Sequence, residues 1–96
     1  MATYICLANW TQKGIESIKE GPDRLDAARE VLEEQGITLR DFYMTVGQYD
    51  FAFTLEASDA AAVAKSLLAI AQAGNIRTTT LRAFSESEYR EIIGSL

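Results

Sequence analysis

Two residues in this chain are of types that could do chemistry together: Asp50, in the stretch Val46-Gly47-Gln48-Tyr49-Asp50, and Arg82, in the last strand-like segment. A carboxylate at the start of a strand, facing an enclosed space, has a raised pKa and can act as a general base. A guanidinium on a neighbouring strand can orient an anionic substrate or hold the carboxylate ionised. The same two groups also suit an ion pair, within or between subunits, that fixes docking geometry. Both readings stay open at this stage. Tyr43 and Tyr49 offer hydroxyls to a developing oxyanion, or pack their rings and satisfy those hydroxyls locally. Trp10, Tyr43, Tyr49, Thr45 and Thr80 form the expected substrate-binding lining, although threonines are also simply good strand formers. Cys6 has no histidine to activate it and sits mid-strand, which suits a small buried hydrophobe better than a nucleophile.

Composition narrows the chemistry. The 96 residues include no histidine, which removes Ser-His-Asp and Cys-His catalysis and the commonest metal ligand. One cysteine precludes an internal disulfide and makes a zinc site improbable, so neither metal nor organic cofactor is expected. The net charge of −5 opposes nucleic-acid phosphates and anionic membranes. No apolar run reaches the roughly 18 residues of a membrane span, and residues 1–7 carry no basic group of the kind a signal peptide needs. A reducing cytoplasm is the expected compartment.

The elements that must hold these residues can be read from periodicity. Residues 3–9 are rich in strand formers. Thr11 is placed to cap a helical turn over 12–20, and Pro22 and Asp23 suit the first turn of a second helix that Gly36 ends. Gly21-Pro22 either kinks one long helix or separates two. Residues 37–46 and 49–57 alternate with period two around Gly47-Gln48, which predicts an antiparallel hairpin. Ser58 is placed to cap an alanine-rich helix ended by Gly74, and residues 75–84 give a fourth strand. Ser85 and Glu88 have capping-box spacing at the start of a last helix with Tyr89, Ile92 and Ile93 facing inward. The order β-α-β-β-α-β plus a final helix is that of a single ferredoxin-like α+β domain over 1–96: a four-stranded antiparallel sheet with helices on one face.

Alternation then divides the strand residues. Ile5, Leu7, Phe42, Met44, Val46, Phe51, Phe53, Leu55, Leu81 and Ala83 are assigned to the helix side. Tyr4, Cys6, Ala8, Tyr43, Thr45, Asp50, Ala52, Thr54, Ile76, Thr78, Thr80 and Arg82 fall on the opposite face, with Trp10 near its edge. Such a mixed face suits contact with a second copy, the lining of a small-molecule pocket, or a base-stacking platform. The acidic charge and the absence of a basic-Gly-aromatic strand opening weigh against the last.

The stretches GIESIKEGPDR, FYMTVGQYDF and GNIRTTTLRAF, in that order, resemble the GYD-domain family, and the resemblance runs over essentially the whole chain. Its Gly-x-Tyr-Asp stretch corresponds to Gly47, Gln48, Tyr49 and Asp50. The resemblance implies a small cytoplasmic protein of no settled activity, with a fold similar to the dimeric α/β-barrel proteins. That wider group includes cofactor-free monooxygenases, muconolactone-type isomerases, haem-degrading enzymes and ligand-sensing domains, an analogy of fold and not of chemistry. The expectation is a homodimer or larger oligomer whose apposed sheets enclose a cavity for a small organic acid. Asp50 would take a proton and Arg82 would orient the anion. The alternative is a non-enzymatic ligand-sensing or protein-interaction module whose sheet face is a structural interface.

Overall fold

The computed structural model describes residues 1–96. The elements are β1 (Ala2–Trp10), α1 (Gln12–Glu16), a 3₁₀ turn (Ile18–Glu20), α2 (Gly21–Glu34), β2 (Thr38–Met44), β3 (Phe51–Ala57), α3 (Ala60–Gln72), β4 (Ile76–Ala83) and α4 (Glu86–Gly94). The four strands form one antiparallel sheet in the order β2-β3-β1-β4, so the ferredoxin-like arrangement expected from element order is present. The Gly21-Pro22 question resolves as separation. α2 begins at Gly21 with proline in its first turn, where a missing N–H costs nothing.

Caps follow local chemistry. The Thr11 side chain accepts from the Gly14 N–H, and its own N–H donates to the Asn75 carbonyl at 3.0 Å, tying α1 to the start of β4. Asp59, one residue later than expected, caps α3 by accepting from Ala61 N–H. Ser85 and Glu88 form the expected capping box of α4. Gly36 and Gly74 take left-handed φ of 74° and 81° where α2 and α3 end.

The core lies between the sheet and α2 and α3. Cys6, Leu55, Leu32 and Ile37 are almost fully buried, with Phe51, Phe53, Val63 and Leu67 around them. Each such large side chain contributes about 1.5–3 kcal/mol on leaving water.

Register corrects the division of faces. Cys6 lies opposite Phe53 on one side and Thr80 on the other, and Tyr4 lies between Leu55 and Arg82. Tyr4, Cys6, Ala8, Ile76, Thr78, Thr80 and Arg82 therefore stand on the helix side, not the open one. Ile5, Leu7, Leu81 and Ala83 stand on the open face, where Ile5 and Leu81 are exposed. The cause is that β1 is apolar on both faces, so period two cannot orient it. Val46 lies outside the strand and is solvent-exposed.

Two further expectations change. The β2–β3 connection is wider than a two-residue turn: β2 stops at Met44 and β3 starts at Phe51, with a register shift between Leu39 and Phe42. Helix α4 buries none of its residues, and Tyr89, Ile92 and Ile93 are exposed, not inward.

Candidate functional site

Asp50 is held at the end of β1. Its Oδ2 accepts the Trp10 N–H at 2.9 Å and is 3.4 Å from Asn9 Nδ2, while its own N–H donates to the Ala8 carbonyl at 2.9 Å. It thus continues the β1–β3 ladder past Phe51, with its carboxylate replacing a backbone acceptor. Thr45 closes the same loop. Its N–H donates to the Asp50 carbonyl at 2.8 Å and its hydroxyl to the Tyr49 carbonyl at 2.6 Å. The Gly-x-Tyr-Asp stretch is therefore a loop pinned to the sheet at both ends.

Arg82 is elsewhere. It lies opposite Tyr4, five residues along β1 from Asn9, or about 17 Å at the rise of a strand. Its guanidinium stacks over the Phe84 ring at 4.5 Å and near the Tyr4 ring at 5.8 Å, and it donates to the Thr3 and Ala83 carbonyls. Asp50 and Arg82 do not meet within the chain and stand on opposite faces, so their expected pairing has no geometric support here. Two cations reach the open face that Asp50 shares: Arg40, paired with Glu56 at 3.0 Å, and Arg77, paired in register with Asn9 and without an ion-pair partner. Alternation missed Arg77 because β4 was read one residue out of phase. Arg77 takes part in none of the four ion pairs and lines a polar cleft of about 580 Å³ with Asn9, Thr11, Gln12 and Thr79.

The expected lining residues disperse. Tyr43 is on the open face and exposed. Tyr49 is half-buried in the loop. Thr80 is on the helix side, 3.8 Å from the Cys6 sulfur. Trp10 lies at the end of β1 with its ring 5.4 Å from that of Phe51, facing a second cavity on the helix side. Cys6 itself is fully buried, and desolvation pushes its pKa from 9.0 to about 11, against a smaller opposing effect of Thr80. It is a protonated thiol at neutral pH. Glu88 is the other shifted group. The Ser85 N–H, and then the Ser85 hydroxyl, hold its carboxyl below the usual range, as a capping box does. No three His, Cys, Asp or Glu side chains gather as a metal site would require.

These features define a ferredoxin-like α+β domain with a pinned loop, an open sheet face and an exposed terminal helix. The GYD domain family matches residues 4–93, and the chain belongs to it. It is 37% identical over 84 residues to the glutamine synthetase and cystathionine beta-lyase binding protein of Thermus thermophilus, covering 86% of this chain and 88% of that one. Among solved structures, it is similar to the feast or famine regulatory protein of M. tuberculosis complexed with L-methionine, at TM-score 0.66 and 15% identity. That match covers 88% of this chain and 51% of the regulator, so this chain spans about half the regulator's length. A dabb family protein of Mesorhizobium loti aligns at TM-score 0.53 and 16% identity, over 88% of this chain and 100% of the other. At these identities the structural likenesses speak for the fold alone. No helix is long and apolar enough to cross a membrane.

Proposed function

We propose that this chain is a self-associating binding module that carries out no chemistry of its own and docks onto other proteins through α4. The supporting observation is α4 itself. Tyr89, Ile92 and Ile93 fall at i, i+3 and i+4, all exposed, on a well-capped helix whose opposite face carries Ser87 and Glu91, and exposed Leu96 lies just past its end. That spacing is how an amphipathic helix fills a groove on a partner. The relative's name adds the class of partner, since that protein is described as binding glutamine synthetase and cystathionine beta-lyase. Self-association is assigned to the open sheet face, where Ile5, Leu7, Leu81 and Tyr43 lie with small and hydroxyl residues, and the occupant is a second copy.

Capture of these two enzymes from extracts of the source organism tests the docking. The intact chain is expected to retain at least one, and Ile92→Asp with Ile93→Asp to lose it while the sheet keeps its circular dichroism. Undiminished capture by that variant overturns the α4 assignment. Light scattering tests self-association separately: Leu81→Asp is expected to shift a dimer toward monomer, and a strict monomer in the unsubstituted protein refutes the second copy.

The Arg77 cleft favours a second reading, in which the module also senses a small organic acid without a metal or organic cofactor. Arg77 would meet the carboxylate, with the Thr79 hydroxyl and the Gln12 amide as hydrogen-bond donors beside it. Binding of a carboxylate metabolite by the unsubstituted chain, lost in Arg77→Ala, would mark this reading, and equal binding by both would remove it.

A further inference from the structure

The layer between the sheet and helices α2 and α3 does not close. A cavity of about 630 Å³ remains there, within the range of small-molecule sites. It lies on the opposite side of the sheet from the surface assigned to self-association, so the two do not compete. Its floor is aromatic: the Phe51 ring sits 5.3 Å from Phe42 and 5.4 Å from Trp10. Its walls are kept apart by short side chains, Ala27 and Ala28 from α2, Ala69 from α3 and Ala73 just past its end.

Only two polar side chains line it, Arg24 and Asn75. The Arg24 guanidinium is already committed. It donates to the Ser17 carbonyl at 2.9 Å, the Ser17 hydroxyl at 3.0 Å and the Gly14 carbonyl at 3.3 Å, with Glu20 at 3.7 Å. It brings no free charge to a ligand. Asn75 uses its backbone carbonyl to accept from Thr11, and its side-chain amide makes no hydrogen bond within the chain. One free amide on an otherwise apolar wall sets the ligand chemistry.

We infer that this cavity binds an uncharged, mainly apolar small molecule with a flat or branched carbon skeleton and a single hydroxyl or carbonyl end that meets Asn75. A helix from a second copy is the competing occupant of this apolar wall, and the protein-concentration dependence of dye binding separates the two.

Trp10 is the only tryptophan and lines the cavity, so it reports directly. The probe is N-phenyl-1-naphthylamine, a neutral apolar dye that accepts energy from tryptophan. It is expected to bind at one site per chain with energy transfer from Trp10, and 1-decanol is expected to displace it. Ala28→Phe fills the cavity from α2 and is expected to weaken dye binding at least tenfold. Ala69→Met does so from α3, and carries the test if the first variant does not fold. Leu81→Asp, on the open face, is expected to leave binding unchanged. Asn75→Ala is expected to weaken displacement by 1-decanol several-fold. Absence of saturable binding, equal binding in both filled variants, or loss of binding in Leu81→Asp overturns the inference. So does dye binding that falls as protein concentration rises, which would make a second copy the occupant.

Discussion

Replacing Asp50 separates a group that builds the fold from one that acts on a ligand. In the structure its carboxylate is the sole acceptor for the half-buried Trp10 N–H at 2.9 Å, with a weaker contact to Asn9 at 3.4 Å. A hydrogen bond to a charged acceptor is worth about 1.5–3 kcal/mol, and partial exposure places this one near the lower end. Asp50→Ala should therefore cost about 1.5 kcal/mol, because no side chain remains to take that N–H. In a domain of this size, that is a fall in melting temperature of about 6–12 °C. Asp50→Asn keeps an oxygen in place and loses only the charge, which accounts for about half the strength of such bonds. Its expected cost is about 0.7 kcal/mol, or about 3–6 °C. The assay is thermal unfolding followed by circular dichroism, with light scattering on the same samples. The ordering Ala below Asn below the unsubstituted protein is the signature of the backbone role. An Ala variant that melts within about 2 °C of the original refutes it. If that variant also changes mass or ligand binding, Asp50 belongs to an interface or a site instead.

Two further outcomes follow from close packing and burial. A β-carbon at Gly14 would overlap the Asn75 carbonyl oxygen, so Gly14→Ala should cost about 1–3 kcal/mol of stability and lower the urea midpoint accordingly, despite alanine's better helix propensity; an unchanged midpoint would show that α1 does not press on the backbone leading into β4. The Cys6 pKa is raised from 9.0 to about 11, above its unfolded value. The stability this contributes is fully present below pH 9 and is lost as pH rises toward 11. Cys6→Ala should remove that alkaline loss, and the native thiol should react with Ellman's reagent at pH 8 at least about 100-fold more slowly than in urea. A native rate equal to the unfolded one would mean that Cys6 is reachable.

Much of the architecture was legible because it is written in local chemistry. The Ser85–Glu88 box, the proline opening α2 and the glycines ending α2 and α3 each satisfy a backbone demand that needs no distant partner. Element order then leaves few topologies. What was not legible depended on register. β1 has apolar residues at both parities, so only the pairing of Cys6 with Phe53 decides its direction, and that pairing is not visible along the chain. The same slip in β4 put Arg82 on the open face, to which Arg77 belongs. Asp50 was recognised as a residue to account for, but its bond to Trp10 N–H is a contact 40 residues away in sequence. The cavity beside Trp10 was invisible for a different reason. It is made by what alanines leave unfilled, and alanines in a helix read simply as good helix formers.

The terminal helix has a consequence for how evenly the molecule resists opening. A nine-residue helix in water is short of the length at which it persists unaided, and none of α4's residues is fully buried. The segment leading into it is held by Arg82, whose guanidinium stacks on Phe84 and reaches back to the Thr3 carbonyl. Two tiers of opening follow. Amides of 86–96 should exchange with deuterium in the earliest time points, while those of β1 and β3 wait for global unfolding. A protease should therefore trim the C-terminus first and leave the sheet standing.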